Sequence, residues 1–268
     1  MPEATATSIE AAFAAARADG RAALMPYLMG GFPDLETATA VAQAYADAGA
    51  DLIELGVPFS DPLADGPVIH AADTAALEAG ATLESVLQTC GAVAERIPVA
   101  LMVYVNMVLA TGHVEFAEHA ATAGAAGVIV PDLPLEERGE IAEALGQHGI
   151  ALIPLVAPNT PPARRVEICS RAEGFVYLVS TKGVTGEREE LPPELTELIT
   201  ATKEAASVPV AVGFGISTPE QAANVGEIAD GIIIGTRLVR AVADAPDSDA
   251  AVTAVSDFLR ETRAALAR

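Results

Sequence analysis

Eight short β-prone apolar runs, separated by helical segments rich in alanine and leucine, set the limits on what this chain can fold into. The runs lie near 23–29 (Ala-Leu-Met-Pro-Tyr-Leu-Met), 51–55, 98–103, 126–130, 150–155, 174–179, 208–212 and 230–234. Between them, segments such as 35–48 and 135–147 repeat alanine and leucine at helical spacing, with Gly or Asp-Gly at their ends. Strand-then-helix alternation predicts a parallel sheet covered by helices. Eight such units in 268 residues, 51% of them hydrophobic, suit one α/β domain over residues 1–268: a (β/α)₈ TIM barrel, with a doubly wound open sheet as the alternative. No Gly/Ser-rich or Pro-rich linker divides the chain.

Charge and residue usage exclude several classes of function. A net charge of -22, from 37 acids against 15 bases, opposes binding to nucleic acid or to anionic membranes, and Arg164-Arg165 is the only adjacent basic pair. The opening residues lack the basic start and apolar core of a secretory signal, and no run approaches the roughly 18 apolar residues of a membrane span. These features predict a cytoplasmic protein. Cys90 and Cys169 lie in amphipathic helix-like segments and read as buried, reduced thiols. His70, His113, His119 and His148 show no metal-ligand spacing and read as surface residues, so no metal is expected.

In a barrel, residues that follow the strands converge on one face. Glu54 and Asp65 do so after the second strand, eleven positions apart. Alternation places Leu52 and Glu54 on one strand face, so Glu54 points toward whatever core Leu52 enters. A carboxylate there is costly unless paired or used. The plainer alternative is a capping or salt-bridged Glu on an edge strand. The stretch 56–67 carries three prolines and two glycines, which rules out helix and central strand and leaves an ordered loop bearing the second acid. Gly213-Phe-Gly-Ile-Ser217 follows the seventh strand and Gly235-Thr236 the eighth, the positions of a barrel's phosphate cradle; the alternative is that these glycines only make tight turns. With cations scarce, a phosphate would be held by backbone N–H groups.

The run Glu54-Leu-Gly-Val-Pro-Phe-Ser-Asp-Pro-Leu-Ala-Asp-Gly-Pro67 resembles the signature of the tryptophan synthase alpha subunit family. Pro131-Asp-Leu-Pro-Leu-Glu-Glu137, Gly183-Val-Thr-Gly186, Gly213–Ser217 and Gly235-Thr236 follow in the family's order. The resemblance implies a phosphate-binding barrel that cleaves indole-3-glycerol phosphate to indole and glyceraldehyde 3-phosphate without a cofactor of its own. It gives Glu54 the proton shuttle at indole C3 and the glycerol hydroxyl, and Asp65 the indole N–H. It sets Tyr27, Met102, Ile129, Leu155 and Phe214 at indole-contacting positions, and Gly186, Gly215, Gly235 and Thr236 at the phosphate. Tyr177 is placed to bond one of the acids, or is a plain core tyrosine. Thr185, on a lid over 181–192, would orient Asp65. Desolvation at an apolar barrel mouth would raise the Glu54 pKa.

The resemblance also implies a partner, a pyridoxal-phosphate beta subunit that receives indole in an alpha2-beta2 heterotetramer, with Pro58 and Asp61 as contact points. A stand-alone lyase and a non-catalytic phosphate-ligand-binding barrel are the rival readings. The sequence departs from the family at His70, where a glutamine is usual, and at Thr181, where some members carry arginine.

Overall fold

The computed structural model describes residues 8–179, 193–213 and 215–267. Its strands are β1 (Ala23–Met29), β2 (Ile53–Gly56), β3 (Val99–Met102), β4 (Gly127–Ile129), β5 (Ala151–Ile153), β6 (Leu155–Val156), β7 (Val176–Val179), β8 (Val210–Gly213) and β9 (Gly231–Ile234). They form one sheet in the order β5-β4-β3-β2-β1-β9-β8-β7-β6, and every recorded pairing is parallel. The two ends of that order, β5 and β6, are consecutive in the chain, so the sheet closes into a barrel.

The predicted fifth strand, 150–155, is therefore two strands interrupted at Pro154. Proline has no N–H to give to a ladder. Its carbonyl still accepts from the Tyr177 amide at 2.9 Å, which carries the pairing across the gap. The predicted second strand begins later than 51 because Asp51 serves as a clamp: its carboxylate accepts from the Leu24 amide at 2.8 Å and from Arg21 at 2.6 and 2.8 Å.

Side-chain alternation produces two cores. Outward residues such as Leu24, Ile53, Leu101, Val128, Val212 and Ile232 pack beneath the helices. Inward residues, among them Met25, Leu52, Ala100, Ile153, Ala211 and Ile233, fill the barrel. The helix Ile9–Ala18, which precedes the first strand–helix unit, belongs to the inner cluster through Ile9, Phe13 and Ala16, a four-then-three spacing that puts all three on one helical face. Phe13 meets Phe175 with ring centroids 5.7 Å apart. Fully burying a side chain of this size contributes ~1.5–3 kcal/mol. With this helix packed into the interior beside the first strand residues, the open end of the barrel is the one at the strands' C-terminal ends.

Cys90 and Cys169 are buried and unpaired, and burial pushes the Cys90 thiol up to about 12. His70, His119 and His148 are exposed and His113 is half-buried. Among the described residues no helix is long and apolar enough to cross a membrane, and no group of three or more His, Cys, Asp or Glu could hold a metal ion.

Candidate active site

Glu54 lies on β2, between β1 and β3, with Tyr27 and Ala100 as its register partners. It shares the inward face with Leu52 and is 1% exposed. That placement removes the edge-strand alternative. Its Oε2 accepts a long hydrogen bond, 3.4 Å, from the Tyr177 hydroxyl on β7, across the barrel mouth. Its Oε1 is buried and has no hydrogen-bond partner among the described residues. Burial, reinforced by the nearby Asp65 charge and opposed by the Tyr177 bond, pushes the carboxyl up to about 8. Near neutrality it is therefore a neutral acid holding a proton.

Asp65 reaches the same cavity from the loop after β2. A turn closed by the Asp65 amide on the Pro62 carbonyl, 3.1 Å, bends the chain back toward the barrel. Tyr104, which follows β3, then fixes the end of the loop. Its hydroxyl donates to Asp65 Oδ2 at 2.9 Å and accepts from the Ala64 amide at 3.0 Å. The Phe59 ring stacks on Tyr104, with centroids 5.1 Å apart and planes 25° from parallel. Burial raises the Asp65 carboxyl above the usual range, while the Tyr104 bond and the charge of nearby His70 act downward. The departure at His70 thus sits where it acts on Asp65.

The two acids face a cavity of about 240 Å³ at the open end of the barrel. Tyr27, Met102, Leu155 and Tyr177 form apolar wall, and Gly215, Gly235 and Thr236 line the opposite rim. Both tyrosine rings depend on a glycine of the adjacent strand. A Cβ at Gly56 would collide with the Tyr27 ring, and one at Gly213 would stand 2.8–3.1 Å from the Tyr177 ring. Gly215 has a φ of +53°, a conformation that favours glycine. Gly235 caps the helix Thr236–Ala243, whose first N–H groups have no intrahelical acceptor and carry the positive end of its dipole.

Ile129 is a correction. It packs in the inner cluster with no exposed surface and does not line the cavity. Strand alternation gives the face a residue takes, and Ile129 does point inward beside its register partner Met102, but alternation does not tell which inward side chains are covered by their neighbours. Thr185, Gly186 and Phe214 lie outside the described residues. Of the two expected partner contacts, Asp61 is exposed, whereas Pro58 is packed inside the loop. Further lining residues include Pro131 and Ile216, which fall within motifs already noted in the sequence, and Ile69, Val179 and Ile233, which were given no role there. Ile233 shares its strand face with Gly231 and was open to the same alternation argument. Tyr104 stands directly after a strand, which marks it for the open face, but nothing in the sequence pairs it with Asp65.

The family model for the tryptophan synthase alpha chain matches residues 13–267. The chain belongs to this family. It is 44% identical to the tryptophan synthase alpha chain of Synechococcus elongatus over 265 residues, 98% of each chain. It is 47% identical to that of Carboxydothermus hydrogenoformans over 232 residues, 86% of this chain and 87% of the relative. Among solved structures, a chain of Mycobacterium tuberculosis tryptophan synthase superposes with a TM-score of 0.90 at 36% identity, covering 98% of this chain and 99% of that one. The tryptophan synthase alpha subunit of Legionella pneumophila gives 0.88 at 34% identity, covering 96% and 97%. A tryptophan synthase alpha chain is a carbon–carbon lyase barrel, and the acid-bearing cavity described above lies at the end where such barrels keep their chemistry.

Proposed function

We propose that this barrel cleaves indole-3-glycerol phosphate to indole and glyceraldehyde 3-phosphate, with Glu54 as the proton shuttle and Asp65 as the acceptor of the indole N–H. The observation that carries this reading is Glu54 itself, a buried carboxyl with one unpartnered oxygen and a pKa near 8 at the floor of a largely apolar cavity. A protonated Glu54 gives its proton to indole C3, which generates the cationic indolenine. Asp65, accepting from the ring N–H, stabilises that charge. The Glu54 carboxylate then takes the proton of the hydroxyl on the adjoining glycerol carbon. The carbon–carbon bond breaks, its electron pair returns to the ring to give indole, and the carbonyl of the aldehyde forms. The proton given equals the proton recovered, so one carboxyl completes the cycle.

Tyr27, Met102, Leu155 and Tyr177 supply the apolar slot for the indole ring. Gly215, Gly235 and Thr236 present backbone N–H groups to the phosphate, which suits a protein with few cations to spare. The same role belongs to Gly186, and indole contact to Phe214, by family position. The partner is a tryptophan synthase beta subunit, in an alpha2-beta2 assembly where pyridoxal phosphate belongs to the beta subunit and this chain carries no cofactor. Asp61, exposed on the Asp65 loop, and Pro58 are the contact positions by family resemblance. We assign the chain to the cytoplasm, a reducing compartment consistent with two unpaired cysteines. Indole release by the purified chain, with and without a beta subunit, tests the assignment: release that the beta subunit accelerates supports it, and no cleavage under either condition refutes it.

A further inference from the structure

The helix Pro67–Glu78, which follows the loop, buries Ile69, Ala72, Asp73 and Ala76, positions that recur at helical spacing along one stripe. Three of the four are apolar. The fourth is a carboxylate only 2% exposed, and nothing in the reaction as derived uses it. A buried carboxylate without a role costs stability. Among the described residues Asp73 makes one recorded hydrogen bond, accepting from the Phe59 backbone N–H at 3.1 Å, and its Oδ2 is buried without a partner there. Phe59 is the residue whose ring lies against Tyr104, and Tyr104 holds both Asp65 and the Ala64 amide.

We propose that Asp73 is a positioning residue for the lyase reaction: by gripping the Phe59 amide it seats the Phe59 ring against Tyr104, which in turn aims Asp65 at the indole N–H. The loop from 57 to 66 carries two prolines, Pro58 and Pro62, which have no N–H to give, and its remaining backbone groups need partners that such side-chain ties supply. Asp73 supplies the tie near the loop's start, and Tyr104 the tie at its end. The grip needs an acceptor oxygen, not a charge. Burial and the neighbouring Asp65 push the Asp73 carboxyl up to about 7, so near neutrality much of it is already uncharged. An asparagine can therefore stand in for it, and an alanine cannot.

This inference rests on the assignment of Asp65 to the indole N–H, and a double-mutant cycle separates the two claims. Turnover of indole-3-glycerol phosphate and binding of glycerol 3-phosphate are measured for Asp73→Ala, Asp73→Asn, Asp65→Asn and the Asp65→Asn/Asp73→Ala double variant. Asp73→Ala should lower kcat about tenfold or more, since an ångström of misplacement can cost up to about a hundredfold, while glycerol 3-phosphate affinity stays within about twofold. Asp73→Asn should recover most of that loss. In the Asp65→Asn background Asp73→Ala should change kcat by less than about twofold, because the residue it positions is already disabled. The proposal is overturned if Asp73→Ala turns over normally, if it costs as much in the Asp65→Asn background as in the parent, or if Asp73→Asn is as poor as Asp73→Ala. Wild-type turnover by Asp65→Asn alone would instead remove the Asp65 assignment. Should Asp73→Ala fail to fold, Asp73→Ser, too short to reach the Phe59 amide, carries the same expectations.

Discussion

The Tyr104 hydroxyl bridges two consecutive residues of the loop, donating to the Asp65 carboxylate at 2.9 Å and accepting from the Ala64 amide at 3.0 Å. One side chain thereby fixes both the direction of the acid and the path of the backbone that carries it.

Removing that hydroxyl should cost activity more than stability. Tyr104→Phe keeps the ring against Phe59 but leaves Asp65 unaimed and the Ala64 amide unpaired. Loss of a hydrogen bond to a charged group is worth about 1.5–3 kcal/mol, or on the order of ten- to a hundredfold in kcat/KM for indole-3-glycerol phosphate. Steady-state kinetics on the folded variant checks this, and turnover within twofold of the parent would show that Asp65 needs no such support.

The raised Glu54 pKa has a consequence for stability. Folding lifts this carboxyl from its ordinary 4.5 to about 8. Between those values the folded protein holds a proton that the unfolded chain has lost, so this group's contribution to stability falls as pH rises through the window and levels off above it. The slope is at most about 1.4 kcal/mol per pH unit. Glu54→Gln cannot titrate and should escape that loss. Denaturant melts of both proteins from pH 5 to 9 should show the variant gaining on the parent up to about pH 8; parallel curves would mean that Glu54 titrates normally.

Gly213 offers a test of the apolar slot. Gly213→Ala would set a Cβ against the Tyr177 ring, and the ring can yield only by shifting within the cavity it lines. We expect a folded barrel with a KM for indole-3-glycerol phosphate raised about tenfold, since overpacking costs about 1–3 kcal/mol. Circular dichroism and steady-state kinetics together decide it, and an unchanged KM would place the indole elsewhere.

The parts of this account legible in the sequence are those governed by a short period. Alternation put Glu54 inside the barrel beside Leu52, and the strand–helix repeat located every strand to within a few residues. Glycine after the last two predicted strands marked the rim where Gly215, Gly235 and Thr236 lie. What escaped depends on contacts between residues distant in the chain. Tyr104 and Asp65 are 39 positions apart and meet only because the loop after β2 folds back over β3. Asp73 sits in a helical stripe that periodicity marks as apolar, so its grip on Phe59 could not be foreseen. Ile129 points inward as predicted but is fully buried in the inner cluster and does not line the cavity. Pro154 was visible, yet its effect, splitting one strand into β5 and β6, follows from which amide the ladder needed there.

The central claim is that one buried carboxyl at position 54 both gives and recovers the proton. Glu54→Gln keeps shape and some hydrogen bonding while removing the titratable group. Release of indole from indole-3-glycerol phosphate by this variant, measured alongside its affinity for the substrate, tests the claim most directly. The account predicts that cleavage is abolished while affinity stays within about tenfold of the parent. Turnover above about a tenth of the parent rate would contradict it and would move the proton transfer to another group.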